Sequence, residues 1–104
     1  MRQSWNEELI VIKELVMNSD YHYSNKIREY VEEGWYQEDD LEQCICSATR
    51  IHKVEDDELK TSVDGKKYTI LGRDSQGEPF YTCGKIILSR DNRKYFFITA
   101  HESR

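Results

Sequence analysis

The sequence predicts an α+β domain, with helices in the first half packed on one face of a C-terminal antiparallel β-meander of about four strands. Two observations carry this. Apolar residues recur at helical spacing as far as about residue 48, and from Thr49 onward β-branched and aromatic runs alternate with Gly, Asp and Asn. With no internal repeat and no low-complexity linker, one layer of helices should cover one pleated face as a two-layer sandwich.

Ser4 followed by Glu7 forms a capping-box pattern, which starts a first helix. Trp5, Leu9, Ile12 and Val16 draw its apolar stripe, and Asn18, Ser19 and Asp20 end it. Tyr23, Ile27, Tyr30 and Val31 repeat the helical spacing before Gly34, so a second helix is expected over roughly His22 to Glu33. Glu38, Asp39 and Asp40 put negative charge on a third helix N-terminus, ahead of Leu41, Cys44, Ile45 and Ala48 on one face.

Four strands follow, at about Arg50 to Glu55, Lys66 to Gly72, Phe80 to Leu88 and Lys94 to His101. Asp64-Gly65, Gln76-Gly77-Glu78-Pro79 and Arg90-Asp91-Asn92-Arg93 mark turns, and short turns imply antiparallel pairing. Ile70, Ile86, Phe96 and Ile98 are the expected core members of the sheet. The acidic stretch Glu55 to Asp64 reads as a solvated loop or an irregular hairpin tip.

The chain of 104 residues is the size of one domain, and 12% aromatic content suffices to anchor a core beside 34% charge. Glu7, Glu8 and Glu14 interrupt the early apolar run, so neither a signal peptide nor a membrane span is expected. Cys44, Cys46 and Cys83 form an odd, unpaired set, which fits reduced thiols and a cytoplasmic location. A net charge of −5 argues against indiscriminate binding to phosphate backbones but leaves room for a local basic patch.

Candidate chemistry is confined to a few residues. His22, Lys26 and Arg28 are close on the second helix, where His22 and Lys26 share a face at i, i+4 with Arg28 turned partly away, and together they could hold a phosphate. Metal-independent RNA transesterification needs a base, an acid and cations for the phosphorane charge, which are the types supplied by His22, Lys26, Arg73 and His101. The plain alternative is that these are ordinary surface side chains.

The glycine of Leu71-Gly72-Arg73-Asp74 suits a bulge or a close backbone approach that would aim Arg73 outward; equally, Arg73 and Asp74 can pair at a turn. Tyr21, Tyr23, Tyr36, Tyr68, Tyr81 and Tyr95 are ring types that stack on bases, although core packing suits most of them. Cys44, Cys46, His52 and Cys83 lack zinc-ligand spacing, and Cys44 reads as a small apolar core residue. No cofactor or metal is called for. Phosphate loops, nucleophile elbows and two-histidine helical motifs are missing, which sets aside kinase, serine hydrolase and metalloprotease readings.

Tyr21-His22-Tyr23, Glu38-Asp39-Asp40-Leu41, Tyr68-Thr69-Ile70-Leu71-Gly72-Arg73 and Phe97-Ile98-Thr99-Ala100, in this order, resemble the domain of unknown function numbered forty-two fifty-eight. The resemblance covers about 21–103, within a single domain 1–104 whose residues 1–20 are a helical extension. That family is similar to the RelE-like and BrnT-like toxins of bacterial toxin–antitoxin pairs, which place helices against an antiparallel sheet and cleave RNA without a metal.

The resemblance therefore implies a toxin-like protein, with RNA as substrate and a cognate antitoxin as partner. His22, the expected acid or base, stands at the family's leading histidine, and Arg73, expected with Lys26 to steady phosphate charge, at the arginine after its Leu-Gly pair. Lys26 stands where the family often has arginine, so charge is kept while bidentate geometry is lost. The acidic balance is a second departure from such nucleases. The rival reading is a non-enzymatic interaction module, in which an edge strand or the first helix receives a partner.

Overall fold

A computed structural model describes residues 6–102. Ser4 and Trp5, assigned above to a capping box and an apolar stripe, lie outside the described residues. The elements are α1 (Asn6–Met17), β1 (Tyr21–Tyr23), α2 (Asn25–Glu32), α3 (Glu38–Ser47), β2 (Ile51–Asp56), β3 (Lys66–Arg73), β4 (Pro79–Ser89) and β5 (Asn92–Glu102).

The α+β class holds, but a short strand interrupts the helical half and the sheet has five strands rather than about four, in the order β1-β5-β4-β3-β2. It is mixed, because β1 runs parallel to β5 while the other neighbours are antiparallel. Tyr21-His22-Tyr23, expected to open the second helix, is that extra strand. The residues responsible are local. Asp20 and Ser24 bracket the segment, with Tyr95 N–H donating to the Asp20 carbonyl and Ser24 N–H to the Phe97 carbonyl. The Ser24 hydroxyl then accepts from the Ile27 amide as the N-cap of α2 and donates to the Ile98 carbonyl. Three residues are too few for a two-residue hydrophobic rhythm to show, and Tyr23 falls in phase with the α2 stripe.

The helices seat on one face of the sheet. α3 lies against β3 and β4, while α1 and α2 lie against β5, and α1 also meets α3. Leu9, Ile12 and Val16 of α1, Ile27 of α2 and Leu41, Cys44 and Ile45 of α3 are buried with Tyr68, Ile70, Phe80, Ile86, Tyr95, Phe97 and Ala100 of the sheet. Each Leu, Ile, Val or Phe among them contributes about 1.5–3 kcal/mol by leaving water. Leu9, Ile12 and Val16 thus place α1 in the same core as the sheet.

Ile70 and Ile86 are core residues as expected, whereas Phe96 and Ile98 are only half-buried and Tyr95 and Phe97 take the inner positions. A one-residue change of phase moves a side chain to the other face. β4 and β5 also shift register between Cys83 and Gly84, where Cys83 pairs with Thr99 but Gly84 with Phe97. That bulge restores Ala100 to the inner face after Phe97.

Gly72 and Gly84 allow two close approaches. A Cβ on Gly72 would meet the Cys44 carbonyl of α3, and one on Gly84 would lie 2.6 Å from the Tyr95 ring. The close approach anticipated for Gly72 is therefore present. Asp40, buried at the start of α3, accepts from the Gln37 amide at 2.8 Å and from the Ser75 amide and hydroxyl at 2.9 and 2.7 Å. Burial works to raise its pKa, but these donors outweigh it and hold the carboxyl below its ordinary value. One residue so fastens the helix N-terminus to the β3–β4 turn.

The acidic stretch is the irregular, mostly exposed tip of the β2–β3 hairpin, anchored by one buried carboxylate. Asp57 is 4% exposed and accepts from the Thr61 and Ser62 amides, each at 2.9 Å. Its carboxylate pairs at 3.3 Å with Lys85, itself 5% exposed and bonded to the Thr61 hydroxyl. No described helix is long and apolar enough to cross a membrane.

Candidate functional site

The four candidate residues do not gather at one point. His22 is exposed on the face of the sheet opposite the helices, since its neighbours Tyr21 and Tyr23 pack toward the core. Lys26 is exposed on α2, in the helical layer above buried Ile27. Because residue 22 is in a strand, the i, i+4 relation carries no shared helix face, and the phosphate clamp expected of this pair is not assembled. Arg28 instead lies over the Tyr23 ring, 5.4 Å from its centroid.

His101 and Arg73 come closer. Leu71, Tyr81 and His101 form one row across β3, β4 and β5, and Arg73 lies two residues further along β3, opposite Pro79. Strand spacing and rise put the Arg73 and His101 Cα atoms about 12 Å apart, at one end of the sheet face that the helices leave open. His22 pairs with Phe96, five residues back from His101 along β5, hence roughly 15 Å away. Arg73 is also engaged locally: its guanidinium donates to the Gly77 carbonyl at 2.9 Å, and Asp74 accepts from the Gln76 and Glu78 amides. Arg73 is exposed, as the outward reading expected, but its guanidinium is held at the turn by the Gly77 carbonyl.

At this end of the sheet a cleft of about 420 Å³ is lined by Tyr30, Trp35, Tyr36, His101 and Glu102. Gly34, at a φ of +86°, ends α2 and turns the chain back so that Trp35 N–H reaches the Tyr30 carbonyl. The following Tyr36 then packs edge-on to Phe80, with centroids 5.3 Å apart. His101 sits between rings, 6.0 Å from Tyr30 and 5.6 Å from Tyr81.

Tyr36 is 8% exposed and its hydroxyl has no hydrogen-bond partner among the described residues. Burial first, and then the neighbouring Tyr30, push its pKa up to about 12, so it stays a neutral donor. Trp35 is 67% exposed and its indole N–H donates to Glu33.

No family model matches this chain, and neither a curated protein nor a solved structure does.

Function is therefore read from the site itself. Its inventory is a histidine able to move a proton, flat rings able to stack on a planar ligand, a neutral phenol, and a cation at the same end of the sheet. Sequence reasoning chose His101 and Arg73 but did not single out Tyr30 and Trp35. The available signal was Gly34, which ends a helix immediately before two aromatic residues. The thiols offer little chemistry here. Cys44 is buried, and burial pushes it up to about 11 despite hydrogen bonds that act the other way. Among the described residues no group of three or more His, Cys, Asp or Glu is placed to hold a metal ion.

Proposed function

We propose that this protein is a toxin-like member of a bacterial toxin–antitoxin module that acts on RNA as a metal-independent endonuclease, with its chemistry centred on His101. The observation that carries the reading is the placement of His101 among Tyr30, Tyr36 and Tyr81 on a cleft at the same end of the sheet as Arg73. A splayed nucleotide stacks on such rings, the imidazole transfers the 2′-hydroxyl or leaving-group proton, and Arg73 steadies phosphate charge once drawn from Gly77. His22, on the open face of the sheet, and Lys26, on α2, then take no part in the chemistry.

The experiment is incubation of purified protein with RNA, with and without chelator. Cleavage should persist in chelator and fall by about 10²–10⁴ in His101→Ala, the usual contribution of a general acid or base. Arg73→Ala should weaken it less, and His22→Ala least. Absence of cleavage, or cleavage indifferent to His101→Ala, rejects the assignment; loss in His22→Ala alone moves the chemistry to the other end of the sheet.

A specific observation favours a second reading, an interaction module without catalysis. On α1, Ile10 and Met17 are 56% and 70% exposed and stand two turns apart on one side of the helix. This surface suits an apolar partner segment such as that of a cognate antitoxin. Co-purification of a partner that is lost in folded Ile10→Asp, without any RNA cleavage, would select this reading.

A further inference from the structure

The two edges of the sheet differ. β1 has three residues, and beyond it the backbone of β5 is met by Ser24 at the start of α2. β2 is the last strand on the other side, and no described element pairs with its outer edge. Long open edges attract other strands, and proteins blunt them with charge. The order of the charges on β2 is therefore informative.

The strand reads Ile51-His52-Lys53-Val54-Glu55-Asp56, with basic residues before Val54 and acidic residues after it. An antiparallel copy of the same strand, related by a two-fold axis at Val54, sets each Lys53 opposite the other chain's Glu55. Moving the axis one residue either way centres it on Lys53 against Lys53 or on Glu55 against Glu55, which repel. Charge thus both admits a second copy and selects one register.

Backbone direction agrees independently. The Asp57 amide donates inward to the Gly65 carbonyl, and Lys53, Glu55 and Asp57 alternate with Val54 and Asp56 along the ladder. In an antiparallel pair alternate residues face their neighbour strand, so the amide and carbonyl of Val54 and Asp56 point to the open edge. Two Val54 residues on a two-fold axis can exchange both hydrogen bonds. Their side chains, half-buried against the core, meet on the helical side of the sheet.

On the other side Lys53 already lies 3.5 Å from its own Glu55. Pairing turns the two ion pairs into a four-charge ring, in which each lysine touches two carboxylates. The bulge between Ile51 and Lys53 ends the straight stretch of edge. From this geometry we infer that a second copy of this chain docks along β2, joining two five-stranded sheets into one continuous sheet about a two-fold axis at Val54. This holds whatever chemistry His101 performs.

The test is the oligomeric state of the full chain by sedimentation over a wide range of concentration, at low and high salt. A dimer that weakens with salt is expected. Lys53→Glu and Glu55→Lys should each weaken it on the order of tenfold or more, because both symmetry-related contacts become repulsive. The double swap, Lys53→Glu with Glu55→Lys, should restore it. Val54→Pro should abolish it while leaving the inward ladder to β3 intact, and thermal melting confirms that each variant is folded. A monomer at every concentration, a dimer indifferent to the single reversals, or a double swap that fails to restore pairing each overturns the inference.

Discussion

Replacing Gly72 with alanine should cost this protein about 3–5 kcal/mol, and the value follows from where α3 crosses β3. The added Cβ would stand 2.8 Å from both the Cys44 carbonyl carbon and Ser47 Oγ, and nearer still to the Cys44 carbonyl oxygen. Ordinary contact begins at 3.4 Å; the nearest atom, the Cys44 carbonyl oxygen, sets the displacement, so the helix must lift by roughly 1 Å or more.

A gap of that size forfeits roughly a half of the packing attraction it opens. Leu41, Cys44 and Ile45 of α3 are each 0% exposed, so the loss across them is about 2–4 kcal/mol. The same movement strains the 2.8 Å hydrogen bond from the Arg73 amide to Ser47 Oγ, worth about 1 kcal/mol. For a domain of this size the melting temperature should fall by roughly 12–30 °C.

Urea and thermal unfolding followed by circular dichroism measure this, with Gly77→Ala as the comparison. Gly77 has a φ of +84° but open space around its missing Cβ, so alanine there costs about 1 kcal/mol through backbone strain alone. A Gly72→Ala variant no less stable than Gly77→Ala would refute the close approach of helix and strand.

Three further outcomes are expected. Tyr95→Phe should leave stability unchanged or raise it by about 1 kcal/mol, because the fully buried Tyr95 hydroxyl has no hydrogen-bond partner among the described residues; a clear drop in melting temperature would contradict this. Burial works to raise Asp57, but hydrogen bonds from Ser62, Lys85 and Thr61 and the Lys85 charge prevail and hold it at about 2. A depressed carboxyl contributes stability that is complete above its unfolded value and lost as pH falls through the folded one. The advantage of the native protein over Asp57→Asn should therefore fade between about pH 4 and pH 2; an advantage that is constant over this range would remove the linkage. Finally, alkylation of the native protein in mild alkali, read by mass spectrometry, should label exposed Cys46 first and buried Cys44 last, and early labelling of Cys44 would refute its core position.

Much of the fold was legible because its signals are local. α3 begins at Glu38 and ends at Ser47, where acidic residues and the stripe Leu41, Cys44, Ile45 and Ala48 placed it. The four C-terminal strands fall within a residue or two of their expected limits, since β-branched runs and Gly or Asn turns report directly on backbone preference. The core role of Cys44 followed from the same stripe.

What was misread depends on partners distant in sequence. Tyr21–Tyr23 is a strand because Tyr95 to Phe97 pairs with it, a relation that no short window contains. The inner face of β5 was assigned one residue out of phase, since four consecutive apolar or aromatic residues from Tyr95 to Ile98 leave the alternation ambiguous. The same distinction governs the candidate site. Sequence supplied residue types, naming His22, Lys26, Arg73 and His101 as the groups able to move protons or balance phosphate charge.

Tertiary structure alone decided which of them share a surface. It set His22 and Lys26 on opposite sides of the sheet, brought His101 toward Arg73, and added Tyr30, Trp35 and Tyr36 around the imidazole. Composition and periodicity act through the nearest few residues and so determine class and elements. A site is built from side chains that meet only after the chain has returned on itself, and that return is set by pairing and packing rather than by any one segment.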